Sequence, residues 1–223
     1  MVAIEPFGIL NMKLLFSYCL LLFFCFGCAT SNYTQLHPIQ TKAIDSTDLP
    51  PLFINSKPAP LYKAEVSLYG KKLGGLLLVK YMPDSSYRIV FTNETGITFF
   101  DFELKEDTFK VHSCIEKFNN DAVLTTIAND IQLLLFEKRW TQMAQILMDA
   151  ENTSRVYKFK EKEKEVYYFK SETTKKISKV EQAVGKKKKV IIDLWDYKNS
   201  FPASLKITHQ TIRLKIELKL LER

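Results

Sequence analysis

The chain has 223 residues, 46% hydrophobic and 26% charged, and its 32 Lys and Arg against 25 Asp and Glu give a net charge of +7. That length suits one domain with a leader and a linker, and the composition excludes wholesale disorder and a polytopic membrane protein. The basic excess favours anionic partners in general, whether lipid headgroups, nucleic acid or acidic proteins, and selects none of them.

The first element is apolar. Leu14 to Phe26 (LLFSYCLLLFFCF) carries no charge and follows Lys13. A membrane-spanning helix needs about 20 such residues, so this shorter run is expected to be the core of a signal peptide over residues 1–27. Met12-Lys13 has the form of a normal signal start, which makes residues 1–11 a candidate over-extension of the start.

The run ends on Gly27-Cys28-Ala29, a small residue ahead of a cysteine. Cys25-Phe26-Gly27-Cys28 resembles the bacterial lipobox, although the typical pattern has an aliphatic residue where this chain has Cys25. The resemblance implies that Cys28 is the lipidation site, carrying a diacylglycerol and an N-acyl chain; no other cofactor is expected. The alternative is an uncleaved N-terminal anchor helix. With Cys19 and Cys25 removed in the leader and Cys28 acylated, Cys114 is the one thiol left, so no internal disulfide is expected.

Residues 28–59 are rich in Ser, Thr, Asn, Gln and Pro and read as a solvated, proline-stiffened tether. From residue 60 to 223 the pattern is that of a folded domain. Tyr62, Ala64, Val66 and Leu68 alternate with Lys63, Glu65, Ser67 and Tyr69, the period of a strand with one buried face. Leu73 to Tyr81 holds LLLV, apolar on both faces, and Pro83-Asp84-Ser85-Ser86 marks a turn. Tyr87–Thr92, Ile97–Leu104 and Phe109–Ile115 complete five strands joined by tight turns, an antiparallel meander.

The period then changes. Val123, Ile127, Ile131, Leu134 and Leu135 recur at helical spacing, with Asn120 or Asp121 placed to cap the start. Lys138 to Ala150 either extends this helix or forms a second helix or a loop. Strand signals resume at Arg155–Lys160 and Glu165–Lys170, weaken at Lys176–Gln182, and are strong at Val190–Trp195, Phe201–Thr208 and Ile212–Leu218. About ten or eleven strands interrupted by helix predict a mainly β (α+β) fold, a large curved antiparallel sheet wrapped around the helix.

Tyr87-Arg88-Ile89-Val90-Phe91-Thr92-Asn93-Glu94-Thr95-Gly96-Ile97-Thr98, the helix after the fifth strand, and the closing strand pair from Phe201-Pro202 resemble the lipoprotein-localisation factors, the LolA/LolB family. The resemblance implies an open half-barrel closed by one or two helices, with a hydrophobic cavity for acyl chains. It also implies partners: membrane lipid through Cys28, lipoprotein cargo and a soluble periplasmic carrier. The membrane-bound member of that family is itself a lipoprotein facing the periplasm from the outer membrane, and Cys28 matches it. Its membrane-facing turn carries an exposed leucine, where this chain has Glu94 and Thr95 ahead of Gly96.

A cavity for acyl chains needs shape and apolar lining, because each buried CH₂ contributes about 0.8 kcal/mol without directional contacts. The candidate lining residues are Ile89, Phe91, Phe100, Phe102, Val111, Ile131, Leu134 and Leu135. The alternative is that they fill an ordinary solid core.

Other chemistry finds little support. His37, His112 and His209 lack metal-ligand spacing, and no nucleophile elbow, phosphate loop or dinucleotide motif occurs. Asp101 and Glu103 share a strand face but read as a solvated pair. The basic runs Lys158–Lys164 and Lys186–Lys189 suit strand edges that discourage sheet-to-sheet pairing, or contact with anionic headgroups; export makes nucleic acid an unsuitable partner. The expected function is non-catalytic binding of lipid or lipoprotein acyl chains. The alternative is an envelope scaffold or assembly-accessory lipoprotein that binds a protein and holds no lipid.

Overall fold

The computed structural model describes residues 32–54, 58–106, 108–116, 120–185 and 187–221. The signal peptide, the lipobox and Cys28 lie outside these residues. After a single 3-10 turn at Asn32–Gln35, the chain forms β1 (His37–Ala43), β2 (Leu61–Leu68), β3 (Lys71–Tyr81), β4 (Tyr87–Thr92), β5 (Thr98–Lys105) and β6 (Thr108–Cys114). One helix, α1 (Asp121–Leu134), and a 3-10 turn at Phe136–Arg139 follow. The chain closes with β7 (Met143–Met148), β8 (Ser154–Glu161), β9 (Lys164–Ser171), β10 (Ile177–Val184), β11 (Lys187–Lys198), β12 (Phe201–His209) and β13 (Leu214–Leu220).

All strands join one 13-stranded sheet in the order β1-β7-β8-β9-β10-β11-β12-β13-β2-β3-β4-β5-β6. Every neighbouring pair whose register is defined runs antiparallel, as short hairpin turns require. The sheet is open, with β1 at one edge and β6 at the other. Two meanders, β2–β6 and β7–β13, are joined where β13 pairs with β2, Leu214 opposite Leu68 and Leu220 opposite Tyr62. A sheet this wide twists and curls, which is consistent with an open half-barrel, and the described residues carry one α-helix.

This strand order determines what lies on the covered face. The chain leaves β6 at one edge and resumes at β7, next to the other edge, so the connection must cross the sheet, and α1 makes that crossing. The link from β1 to β2 must likewise run from the edge to the middle of the sheet. It buries Ile44, Leu49, Leu52 and Phe53 in the same core as the strands.

Two expectations are corrected here. The stretch read as tether is folded from residue 37, and β1 is hydrogen-bonded to β7 from His37 opposite Met148 to Ala43 opposite Met143. Nearly all of β1 is exposed on both faces, which is why its sequence carries no apolar alternation. Met143–Met148, within the segment read as helix or loop, is strand β7, and its inward residues Ala144 and Ile146 are buried.

Elsewhere the alternation of side chains matches burial. Tyr87, Ile89 and Phe91 of β4 point inward, as do Phe100, Phe102 and Leu104 of β5 and Val190, Ile192 and Leu194 of β11. At Gly75 in β3 a Cβ would lie 2.0 Å from the Thr92 carbonyl oxygen, so the close approach of β3 and β4 requires glycine there.

Candidate functional site

The covered face is built around α1. Asn120 caps the helix, its side chain accepting from the amides of Ala122 (3.0 Å) and Val123 (3.4 Å). Leu124, Ile127, Ala128, Ile131 and Leu134 then follow at spacings of three and four and are buried against the sheet. Seven of the eight candidate lining residues, Ile89, Phe91, Phe100, Phe102, Ile131, Leu134 and Leu135, come together in one continuous core, each at most 3% exposed. Phe91, Phe100 and Phe102 form a chain of ring contacts, with centroids 5.4 and 5.2 Å apart. The eighth, Val111, is 39% exposed on edge strand β6, where five of seven residues are exposed. Val111 therefore does not line the covered face.

The seven residues are in mutual contact with the rest of the core, and the two crossing connections occupy the face they define. Among the described residues, the face is filled by the protein's own side chains.

Polar ties hold that filling in place. Asp130 of α1 meets His209 Nε2 at 2.8 Å, both side chains no more than 7% exposed. His209 ends β12, the seventh strand of thirteen, so the pair pins the helix to the middle of the sheet. Burial pushes the Asp130 carboxyl above the ordinary carboxylate range, opposed in part by His209. In the 3-10 turn, the Tyr87 hydroxyl donates to Glu137, whose carboxyl burial also pushes upward. Trp140 Nε1 donates to the Leu49 carbonyl at 2.9 Å, joining the two crossing connections.

Arg139 is the other buried charge of this region. Its Nε donates to the Tyr168 hydroxyl at 3.1 Å, and Nη1 donates to Gln142 (3.3 Å) and to Glu161. The guanidinium lies over the rings of Phe159 (5.2 Å) and Tyr168 (5.8 Å). It stands at a polar cavity of about 340 Å³ between the C-terminal half of α1 and strands β8–β10.

The turn with Glu94 and Thr95 is exposed and tightly built. Asn93 Oδ1 accepts from the amides of Thr95 (3.0 Å) and Ile97 (2.7 Å), and Gly96 takes φ +91°, a left-handed conformation that suits glycine. Glu94 pairs with Lys63 at 3.4 Å, and the apolar residue of this turn is Ile97, 58% exposed. Ile97, which its apolar character places in the next strand, instead lies exposed in this turn, just ahead of β5.

The remaining candidates are engaged elsewhere. Asp101 takes a paired contact from Arg88 (2.5 and 2.7 Å), and Glu103 faces Arg88 (3.8 Å) and His112 (3.2 Å), an ion-pair ladder across β4, β5 and β6. Lys158 pairs with Glu165 and Lys188 with Glu181, at 2.7 and 2.9 Å. Cys114 is half-buried, which raises its thiol pKa and reduces its reactivity at neutral pH. No group of three or more metal-ligating side chains occurs among the described residues.

No protein-family model matches the chain, and no curated protein matches it. Among solved structures it is similar to a DUF1329-family protein from Desulfovibrio piger, at 10% identity and a TM-score of 0.42, over 79% of this chain and 87% of that one. It is also similar to a domain from Vibrio parahaemolyticus described as an outer-membrane lipoprotein-sorting protein, at 9% identity and a TM-score of 0.36, over 74% and 82% of the two chains.

Proposed function

We propose that this chain is a non-catalytic lipoprotein of the cell envelope, anchored through Cys28 in the outer membrane and facing the periplasm, whose half-barrel binds the acyl chains of lipid or lipoprotein. The observation that supports this is the open 13-stranded sheet, whose large apolar face is covered by crossing connections and not by a second sheet. A helix and a loop can leave such a face without breaking a single strand pairing. Ile89, Phe91, Phe100 and Phe102 are then the wall, and α1, with Ile131, Leu134 and Leu135, occupies the acyl site in the closed state. The exposed turn at Glu94, Thr95 and Ile97 is the membrane-facing element, and cargo arrives from a soluble carrier.

Displacing α1 exposes apolar surface at a cost of about 25 cal/mol per Å², and an entering acyl chain offsets that cost by burying the same surface. A fluorescent fatty acid titrated into the protein should show saturable uptake, with faster amide exchange along residues 121–134. Absence of uptake together with absence of co-purified lipid would overturn the proposal.

A second reading has its own observation. The face is filled in the closed state, as expected for a scaffold or assembly-accessory lipoprotein that binds a protein partner and holds no lipid. Depleting the protein and measuring lipoprotein distribution between the two membranes separates them: a shifted distribution supports localisation, and an unchanged one supports the scaffold.

A further inference from the structure

The cavity beside Arg139 has a polar lining, so it does not rest on the acyl-chain reading, and it exists with α1 seated on the sheet. Asn129 and Gln132 of α1, Arg139 of the following turn, Gln142 just after it, Glu161 at the end of β8 and Gln182 of β10 surround it. Small-molecule sites usually measure about 300–1,000 Å³, and this one, at about 340 Å³, lies at the small end of that range. We propose that it binds an oxyanion, phosphate or carboxylate, carried on a hydroxylated carbon skeleton.

Arg139 supplies the anion contact. Its side chain is 9% exposed, and Nε and Nη1 are committed to Tyr168, Gln142 and Glu161. The guanidinium fork has five donors, and Nη2 makes no hydrogen bond to any described residue, so its two N–H groups remain for a ligand. Those contacts also fix the guanidinium plane in advance, which lowers the entropic cost of binding a planar or tetrahedral oxyanion. Lys138 and Lys164 add positive charge to the lining, while Glu161, one of its two carboxylates, is already bonded to Arg139.

The carboxamides supply the hydroxyl contacts. Gln142 is used internally, accepting from Arg139 and donating to the Lys138 carbonyl at 2.8 Å. Asn129, Gln132 and Gln182 line the cavity with side chains that make no hydrogen bond to a described residue. Each carboxamide both donates and accepts, as a hydroxyl does, so three of them around a cationic edge match an oxyanion-bearing polyol better than a bare ion. A soluble sugar acid, a sugar phosphate and the glycerophosphate of a lipid headgroup share this chemistry.

Calorimetric titration of the full chain in detergent with glycerol 3-phosphate, with glucuronate and with glycerol tests the site. Saturable binding of at least one anion and none of glycerol is expected. The double variant Gln132→Ala/Gln182→Ala should weaken binding about tenfold, and Arg139→Lys, which keeps the charge and loses the fork, by at least as much. Thermal melting checks the fold of each variant, and if Arg139→Lys fails to fold, the carboxamide pair decides. Failure of both anions to bind, or wild-type binding in a folded variant of either kind, overturns the proposal. Competition by phosphatidylglycerol vesicles assigns the ligand to a lipid headgroup, and its absence assigns a free solute.

Discussion

At the scale of single residues, the informative positions are buried polar groups. The hydroxyl of Tyr62, a residue 1% exposed, has no hydrogen-bond partner among the described residues. An unsatisfied buried hydroxyl forfeits its hydration, so Tyr62→Phe should leave stability unchanged or raise it by up to about 1 kcal/mol in urea melts; a loss of more than that would reveal a partner. Asp130 gives a pH dependence. Its folded-state pKa is raised by burial, so the folded protein holds the proton more tightly than the unfolded chain. The corresponding stability is fully present below the unfolded value of about 3.9 and is lost as pH rises through the folded value. Asp130→Asn retains the geometry for a bond to His209 and removes the titration. Urea midpoints should therefore converge with wild type near pH 4 and favour the variant near pH 7. Neither residue is marked in the sequence: Asp130 and His209 are 79 positions apart, and their contact exists only because α1 crosses the sheet.

At the scale of elements, the strands that show in the sequence are those with one wet and one dry face. β4 and β5 alternate large apolar and polar residues along their length, and their burial follows that alternation. β1 has no dry face, so its backbone pairing with β7 leaves no trace in the hydrophobic pattern. In β7 the adjacent Ile146 and Leu147 are both buried, and together with Trp140 and Met143 they imitate helical spacing. Val111 is exposed for the same edge reason, while the burial of the seven candidates on interior strands and on or beside the helix follows from period alone. β3 contains the sharpest steric constraint. Gly75→Ala would press a methyl onto the Thr92 carbonyl, and overpacking of this kind costs about 1–3 kcal/mol. A loss of that size or more in urea melts is expected, with Gly74→Ala, which meets nothing within 4 Å, much milder.

At the scale of the whole molecule, topology explains why the face expected to be an empty cavity is filled. A sheet order that places β6 and β7 near opposite edges obliges the chain to cross it, and whatever crosses becomes the core. Sequence periodicity shows that a strand has an apolar face, and it is silent on which strands end up at the edges; that depends on pairings such as β13 with β2, far apart in the chain. The anchor is tested at this scale too. Radiolabelled palmitate fed to cells should enter the wild-type protein and not Cys28→Ser, and the variant should leave the membrane fraction. Label retained in the variant would remove Cys28 from the proposal.

The pairing of β1 with β7 also sets a distance. A lipidated Cys28 precedes His37, the first residue of β1, by nine positions (37 − 28), and nine residues of fully extended chain reach only about 30 Å. A tether running to residue 59 would reach more than three times as far. On so short a leash the half-barrel would sample a thin layer above its own bilayer, at a high effective concentration for anything embedded there. Any carrier would have to approach that membrane, since the half-barrel could not extend toward it.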